Sequence, residues 1–307
     1  MTASVVRVPT APSSRRSRLL ATAALLAVTA CWGSTFFLIH GLLSRVPVVD
    51  FLAVRFAIAA VVLLALAPGA VRKLGRGRFR SAVVLGVLYG SAQILQTAGL
   101  AHTAASVSGF ITGMYVVCTP LFGALILRTR IVPMTWLAVG LATAGLGVLT
   151  LGGVSIGYGE ALTLIAAMLY ALHIVGLGAW STPREAMGMS IVQIVVIALI
   201  CLVAAAPGGI VLPHQVGDWL AIVYMAVLAG ALALLAQTWA QAHLPPTQSA
   251  IIMSMEPVFA ALFAVLFGSE AVTWRMSLGG AMVVGAMIMV EILPRRRVEA
   301  EVPHIAV

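Results

Sequence analysis

Long apolar runs separated by short polar connections dominate the chain. Runs such as 56–67 and 191–206 contain no charged residue and do not alternate polar with apolar positions. A transmembrane helix needs about 20 mostly apolar residues, whereas a membrane β-barrel is built from short alternating strands. The pattern therefore predicts an all-α polytopic membrane protein.

Segments of transmembrane length recur along the whole chain, with no room between them for a soluble domain. The longest connection, 68–80, carries a cluster of Lys and Arg residues. We predict ten transmembrane helices, at 19–40, 48–67, 81–100, 104–127, 132–151, 158–180, 189–206, 219–242, 247–267 and 273–293.

Composition agrees with this assignment and narrows the chemistry. Hydrophobic residues make up 62% of the 307 residues and charged residues 9%, against roughly 25% charged in soluble domains. The net charge of +9 comes from Lys and Arg at helix ends, so it indicates topology and not a nucleic-acid partner. Cys31, Cys118 and Cys201 each lie in an apolar run without metal-ligand spacing, so no metal and no cofactor is expected.

The distribution of basic residues sets the expected orientation. If the N-terminus is cytoplasmic, nearly every Lys and Arg outside the helices falls on the cytoplasmic side, and only Arg45 and Arg275 fall on the other. Cytoplasmic loops of membrane proteins carry such an excess. The chain is therefore predicted to lie in the inner (plasma) membrane as a multi-pass protein, with cytoplasmic tails at 1–18 and 294–307.

The chain also repeats itself. Residues 96–102 (QTAGLAH) resemble 237–243 (QTWAQAH), and Pro120 matches Pro257 at a similar offset. Trp32 aligns with Tyr170 in the same way.

We therefore predict two repeats, 19–151 and 158–293, with five helices each. Because five is odd, the second copy enters the membrane from the opposite side. Inverted repeats are typical of secondary transporters, whose sites lie near the midplane between the halves. Gln96 is then expected toward the outer face and Gln237 toward the inner one.

Helix interruptions at matching positions point to such a site. Pro120 and Pro257 each remove a backbone donor, which leaves the carbonyls of Val116 and Met253 without helical partners and bends the helix. A packing kink without function is the alternative.

Glu256 directly precedes Pro257, near the middle of its helix. A charged carboxylate at the bilayer centre costs roughly 2.5–3.5 kcal/mol, so it must face a cavity, meet a cation or carry a proton. Glu256 is thus the candidate for proton coupling or substrate contact, and a protonated structural carboxyl is the alternative.

Arg55 is the one cation deep in a predicted helix. It could attract an anionic group of a substrate, or it could pair with Glu160 or with carbonyls of the opposite repeat. The structural interpretation is preferred, because an arginine near a helix end can extend toward the membrane surface.

Aromatic, amide and imidazole side chains near the helix centres are further candidates for the wall of a cavity, although each could serve helix packing instead. These candidates are Trp32, Gln93, Tyr115, Tyr170, His173 and Trp239.

Several motifs resemble those of the drug/metabolite transporter superfamily, in its EamA branch. The resemblance rests on Trp32-Gly33-Ser34, Arg55-Phe56 and the stretches 110–120 (FITGMYVVCTP) and 254–270 (SMEPVFAALFAVLFGSE). It implies ten helices in two inverted five-helix repeats and a central cavity lined mainly by helices one, three, four, six, eight and nine. It therefore favours as cavity residues Trp32, Gln93, Tyr115, Tyr170, His173, Trp239 and Glu256. Arg55, on a helix at the side, is not favoured.

The first repeat has Arg128-Thr129-Arg130 where the second has Gly268-Ser269-Glu270, so a symmetric pair of acids is not expected.

The resemblance implies secondary transport, commonly export of amino acids, metabolites or toxic compounds. The expected function is export of a small solute by alternating access, with the lipid bilayer as the second partner, no nucleic acid, and a homodimer as an open alternative. Neither a Walker motif nor a His-Glu-x-x-His motif is present, so the chain is not expected to be an enzyme. A structural or regulatory membrane protein and an enzyme of lipid-linked substrates are the remaining alternatives.

Overall fold

The computed structural model of the chain describes residues 14–103, 105–128, 131–150, 157–267 and 272–292. Within these ranges all regular structure is helical. The helices of the first half are α1 (Arg15–Leu43), α2 (Val48–Leu66), α3 (Arg76–Leu100), α4 (Ala105–Gly113), α5 (Tyr115–Ile126) and α6 (Pro133–Thr150). Those of the second half are α7 (Tyr158–Trp180), α8 (Ala186–Ala205), α9 (Val216–Ala226), α10 (Ala233–Gln241), α11 (Pro246–Met253), α12 (Glu256–Phe267) and α13 (Trp274–Ile292).

Six helices in the described part of the chain are long and apolar enough to cross a membrane. They are Arg15–Thr35 of α1, Val48–Leu66, Arg76–Leu100, Tyr158–Trp180, Ala186–Gly208 and Val216–Gln241. Shorter apolar helices follow at Ile111–Ile126, Pro133–Val148 and Trp274–Met289. The predicted all-helical, multi-pass membrane architecture is therefore confirmed.

Several helices extend beyond the predicted apolar runs. α1 begins at Arg15, where the hydroxyl of Ser14 accepts from the backbone N–H of Ser17 at 3.1 Å, and α3 begins at Arg76. The 29 residues of α1 span about 43 Å, longer than the roughly 30 Å hydrocarbon core. Hydropathy predicts only the part of a helix that lies in lipid, so the basic first turns were missed.

Two predicted helices are broken near their prolines. α4 and α5 meet at Met114, and α11 and α12 are separated by Ser254 and Met255. Pro257 is the second residue of α12, close to its break, whereas Pro120 lies well inside α5. The segments 104–127 and 247–267 are therefore each two helices, because the backbone turns away from α geometry ahead of each proline.

A π-helical segment, Val227–Leu232, joins α9 to α10 within the predicted helix 219–242. A π turn inserts one residue into an α-helix, which widens the turn and leaves carbonyls open to other donors. Such segments are frequent at functional sites.

The two halves interdigitate. α3 packs along α7 and α8, α2 packs along α8, and α1 packs against α10 and α12. α6 and α13 pair with each other at the side of the bundle. The elements around the centre therefore come alternately from the two halves.

Glycine at position 145 lets α6 and α13 pack closely against each other. A Cβ atom on Gly145 would lie 2.8 Å from the carbonyl oxygen of Gly279 and 2.9 Å from the Cβ atom of Met282. A Cβ atom on Gly140, in the same helix, would meet nothing within 4 Å.

We expect Gly145→Ala to destabilise the folded protein by about 1–3 kcal/mol, because α6 and α13 must move apart to admit the methyl group. The measurement is the thermal unfolding midpoint in detergent. Gly140→Ala is the matched control, and a midpoint no lower for Gly145→Ala than for Gly140→Ala would contradict this packing.

Candidate functional site

A cavity lies among α1, α2, α3, α4, α5, α7, α10, α11 and α12. The free space among its lining side chains is about 660 Å³, including the part that opens to solvent. The lining residues are Trp32, Thr35, Ile39, Arg55, Tyr89, Gln93, Gln96, Thr97, Leu100, Thr112, Tyr115, Tyr170, His173, Ile174, Gln237, Met253 and Glu256. Both halves of the chain contribute to the wall.

The cavity contains most of the residues singled out from the sequence. Trp32, Gln93, Tyr115, Tyr170, His173 and Glu256 all line it, together with Arg55. Trp239 lies elsewhere: its ring is 4.6 Å from that of His243, near the end of α10. Pro120 and Pro257 are not among the lining residues. They lie on the two broken helices that supply Tyr115 and Glu256.

A chain of hydrogen bonds joins the halves across the cavity. The amide nitrogen of Gln93 donates to the hydroxyl of Tyr170 at 2.6 Å, and this hydroxyl donates to the amide oxygen of Gln96 at 2.7 Å. The amide nitrogen of Gln96 then donates to Thr112 at 3.0 Å. These bonds fix the side chains of α3 against α7 and α4.

His173 is fully buried beside this chain. Its Nε2 lies 2.8 Å from the amide oxygen of Gln193, whose nitrogen donates to the carbonyl of Met189 at 3.2 Å. That donation fixes the orientation of the amide, so Nε2 of His173 must carry the proton. Nδ1 of His173, which carries a lone pair in the neutral ring, has no hydrogen-bond partner within the described ranges. The ring of Tyr89 packs over the imidazole, with centroids 5.0 Å apart.

Arg55 contacts the opposite half of the molecule through backbone carbonyls. Its Nε donates to Met225 at 3.3 Å and its Nη2 to Ala229 at 3.5 Å. The indole N–H of Trp32 donates to the same Ala229 carbonyl at 2.8 Å. These carbonyls lie in and just before the π-helical segment, so the widened turn is held by donors from α1 and α2.

Glu160, considered from sequence as a partner of Arg55, is engaged elsewhere. Its carboxylate accepts from Thr103 at 2.5 Å and from the backbone N–H of Gly157 at 3.0 Å, at the start of α7. The guanidinium of Arg55 is 5.1 Å from the ring centre of Phe56. The structure thus matches the alternative in which Arg55 binds carbonyls of the opposite repeat.

The carboxyl group of Glu256 has no hydrogen-bond or ion-pair partner within the described ranges. Its residue is 8% exposed, in the first turn of α12. Arg45 and Arg78 form ion pairs with other acids, Asp218 and Glu185. Glu256 therefore faces the cavity as an unpaired acid.

The two ends of the cavity differ. Thr35, Ile39, Gln96 and Leu100 come from the last turns of α1 and α3, so the cavity extends from the middle of the bundle toward the Leu100 end. Among the described residues, none from the first half of α3 lines it.

The opposite end, which we name the Arg78 end, is packed shut. Nη1 of Arg78 donates to the carbonyl of Trp180 at 2.5 Å, which ties the start of α3 to the end of α7. Gly178 contacts the ring of Pro246 so closely that no Cβ atom would fit. Arg18 donates to Gln248 at 3.4 Å.

Some lining residues were not identified from the sequence. Thr35, Thr97 and Thr112 occur in apolar runs, where a threonine gives little signal, and Ile39 and Met253 give none. Nothing in the sequence marked the π-helical segment whose carbonyls bind Trp32 and Arg55.

Comparisons with known proteins agree with this architecture. The model of the EamA-like transporter family matches residues 19–151 and again 157–292. An uncharacterized transporter of Archaeoglobus fulgidus is 27% identical over 275 residues, which cover 90% of this chain and 87% of that protein. A solved crystal structure of a protein aligns with a TM-score of 0.76 and 18% identity, over 92% of this chain and 99% of the other, which shows a shared fold alone. The family model matches nearly the whole chain in two copies, and the chain belongs to the EamA-like transporter family.

Proposed function

We propose that the chain is a secondary transporter that exports a small solute across the inner membrane by alternating access. The observation that carries this proposal is the cavity between the two halves, closed at the Arg78 end and holding an unpaired carboxyl. Access from one end only is what one state of an alternating-access carrier requires. Family membership supports transport in general.

The proposed topology has ten spans in two inverted repeats, 19–151 and 158–293. α4 with α5 forms one span, α9 with α10 another, and α11 with α12 a third. The matched breaks support this pairing, since discontinuous helices at corresponding positions are the usual sign of a transport site. Both tails are proposed to be cytoplasmic, so that the Arg78 end faces the cytoplasm, in keeping with its basic residues.

Glu256 is proposed to couple transport to protons. An unpaired carboxylate surrounded by protein is costly, and binding a proton or a cation removes that cost. The titratable and charged groups that line the same cavity are the hydroxyls of Tyr89, Tyr115 and Tyr170, the ring of His173 and the guanidinium of Arg55. Glu256 is the one carboxyl group among the lining residues, and His173 already binds Gln193, so Glu256 is the group that we propose to exchange protons.

Transport is tested by flux through proteoliposomes that contain the purified full-length chain. A pooled library of amines, amino acids and other small metabolites is loaded, and release is measured by mass spectrometry with and without an imposed pH gradient. We expect saturable, gradient-sensitive efflux of a few compounds. Folded protein with no saturable flux above protein-free liposomes would contradict the proposal.

The two alternative functions predict different experimental results. A structural or regulatory membrane protein requires no saturable flux. An enzyme of lipid-linked substrates requires convergent catalytic groups near one interface. Residues 153–157 have the sequence Gly-Val-Ser-Ile-Gly, which matches the Gly-x-Ser-x-Gly motif around the nucleophilic serine of many hydrolases. In those enzymes the motif follows a β-strand. Residues 151–156 lie outside the described residues. Replacing Ser155 by alanine should leave flux unchanged.

A further inference from the structure

The hydrogen-bonding groups that line the cavity are unequally satisfied. The N–H groups of Trp32, Gln93 and Gln96 all donate to protein acceptors, as described above. Apart from Nη1 of Arg55, the groups of the lining residues that have no partner in the described part of the chain are ones that can accept a hydrogen bond. A buried polar group without a partner is unfavourable, so a ligand that supplies the missing partners gains free energy on binding.

Four groups that have no hydrogen-bond partner among the described residues lie on four different elements around the cavity. They are Nδ1 of His173, the amide oxygen of Gln237, the hydroxyl of Tyr115 and the carboxyl of Glu256. We name these four residues the acceptor cluster. His173, Gln237 and Tyr115 are each no more than 3% exposed, so bulk water does not satisfy them.

The chemistry of each member is fixed by its other contacts. Nε2 of His173 carries the ring proton, so Nδ1 offers only a lone pair. The amide nitrogen of Gln237 is directed at Gln241 and at the sulfur of Met253, which leaves its oxygen as an acceptor. A carboxylate at Glu256 only accepts, and the Tyr115 hydroxyl can accept or donate.

We infer that the cavity binds a protonated amino group of an organic amine at the acceptor cluster. This inference rests on the proposed function and adds the class of solute to it. An ammonium group has three donors and a positive charge, which matches acceptor atoms beside a carboxylate. Trp32, Tyr89 and Tyr170 supply aromatic faces for the apolar part of the amine and for cation–π contact.

Arg55 is the counter-argument, because its positive charge lines the same cavity. Its Nε and Nη2 donate to two carbonyls, and the guanidinium packs against Phe56. Its Nη1 donates to no acceptor in the described part of the chain, so a solute carboxylate can approach Arg55 without displacing those carbonyls. Acceptors nevertheless outnumber this one donor, so the unpaired groups favour an amine, and a zwitterion whose carboxylate reaches Arg55 is one outcome of the test.

The test uses four compounds that share one phenyl–ethyl framework and differ in their polar end. They are 2-phenylethylamine, phenylalanine, 3-phenylpropanoate and 2-phenylethanol. Binding to the full-length protein in detergent is measured by calorimetry at up to millimolar concentration. We expect 2-phenylethylamine to bind at least about tenfold more tightly than the other three, because the amine alone is a cation that donates to the carboxylate.

Two variants test whether 2-phenylethylamine binds at the acceptor cluster. Glu256→Gln should lower the affinity for 2-phenylethylamine by at least about tenfold. The same variant should change the affinity for 2-phenylethanol by less than about twofold. Glu160→Gln is the matched control, because it removes a carboxylate outside the cavity while still offering an acceptor to Thr103.

Tyr115→Phe separates a ligand contact from a structural one. Its hydroxyl has no partner in the part of the chain that the structure describes, so its loss should not lower the thermal unfolding midpoint. The affinity for 2-phenylethylamine should nevertheless fall severalfold. A lower midpoint with unchanged affinity would show a structural hydroxyl and would overturn its assignment.

Each remaining result overturns one statement. Tightest binding of phenylalanine or of 3-phenylpropanoate would assign a carboxylate to Arg55 and refute the amine class. Failure of all four to bind, with saturable flux of some other solute, would refute the amine class and leave transport standing. Binding of the amine without any saturable flux would refute transport and leave the amine site standing.

Discussion

Glu256→Gln is expected to abolish solute accumulation driven by a pH gradient in proteoliposomes, with a loss of at least tenfold in the initial rate. Glutamine keeps the size and hydrogen-bonding capacity of the side chain but cannot bind or release a proton. Exchange of labelled for unlabelled solute across the same liposomes requires no net proton movement. Such exchange should be retained at saturating solute, so that coupling is lost before the carrier itself.

Glu160→Gln is the control here as well, and it should retain driven transport. Two results would refute coupling at Glu256. Accumulation by Glu256→Gln with its pH dependence intact would show that another group carries the proton. Equal loss of exchange and of driven transport, in protein with an unchanged unfolding midpoint, would make Glu256 a residue of the carrier cycle without a specific role in coupling.

A disulfide between positions 178 and 246 is expected to stop transport completely and reversibly. A Cβ atom on Gly178 would lie 3.5 Å from that of Pro246, within the range of Cβ separations in natural disulfides. The pair Gly178→Cys and Pro246→Cys joins α7 to α11 at the Arg78 end. If this end must open for solute to pass, oxidation should reduce flux by more than tenfold, and dithiothreitol should restore it.

The experiment needs a background in which Cys31, Cys118 and Cys201 are replaced by alanine. The controls are the double variant kept reduced and the single variant Pro246→Cys, neither of which has the cross-link; Gly178→Cys alone is not used, because its Cβ atom would clash with the ring of Pro246. Full flux from protein in which mass spectrometry finds the disulfide would show that the Arg78 end does not open. The proposed alternating access would then be wrong.

Sequence patterns predicted the positions of the helices in the described part of the chain well and the helix ends poorly, for one physical reason. Apolar runs report which residues contact lipid, and helices continue past the hydrocarbon core where Arg15 and Arg76 can reach water. The interruptions at Pro120 and Pro257 were visible because proline removes a backbone donor. The positions of the breaks, at Met114 and at Ser254–Met255, depend on packing against neighbouring helices, which no local pattern contains.

The site was predicted to a similar degree. A carboxyl group, an amide or a tyrosine hydroxyl in an apolar helix is costly unless it meets a polar partner or a cavity, so Glu256, Tyr170 and Gln93 could be identified. Trp239 satisfied the same pattern, yet it packs against His243. Aromatic residues serve packing and binding alike, so only the helix rotation seen in the structure separates the two roles. Arg55 was judged peripheral because its helix lies at the side, but its long side chain reaches the cavity.

The hydrogen-bond chain Gln93–Tyr170–Gln96–Thr112 has no equally strong counterpart among the described residues of the second half. There Gln237, the match of Gln96, reaches only Gln241 at 3.4 Å and the sulfur of Met253 at 3.8 Å. If the two repeats exchange conformations during a cycle, the two end states are then unequal in free energy, and the empty carrier rests mainly in one of them. A difference of about 1.4 kcal/mol already sets a tenfold preference. To shift the carrier into the less populated state, solute must bind that state correspondingly more tightly. The apparent affinities on the two sides of the membrane should therefore differ even for the same molecule.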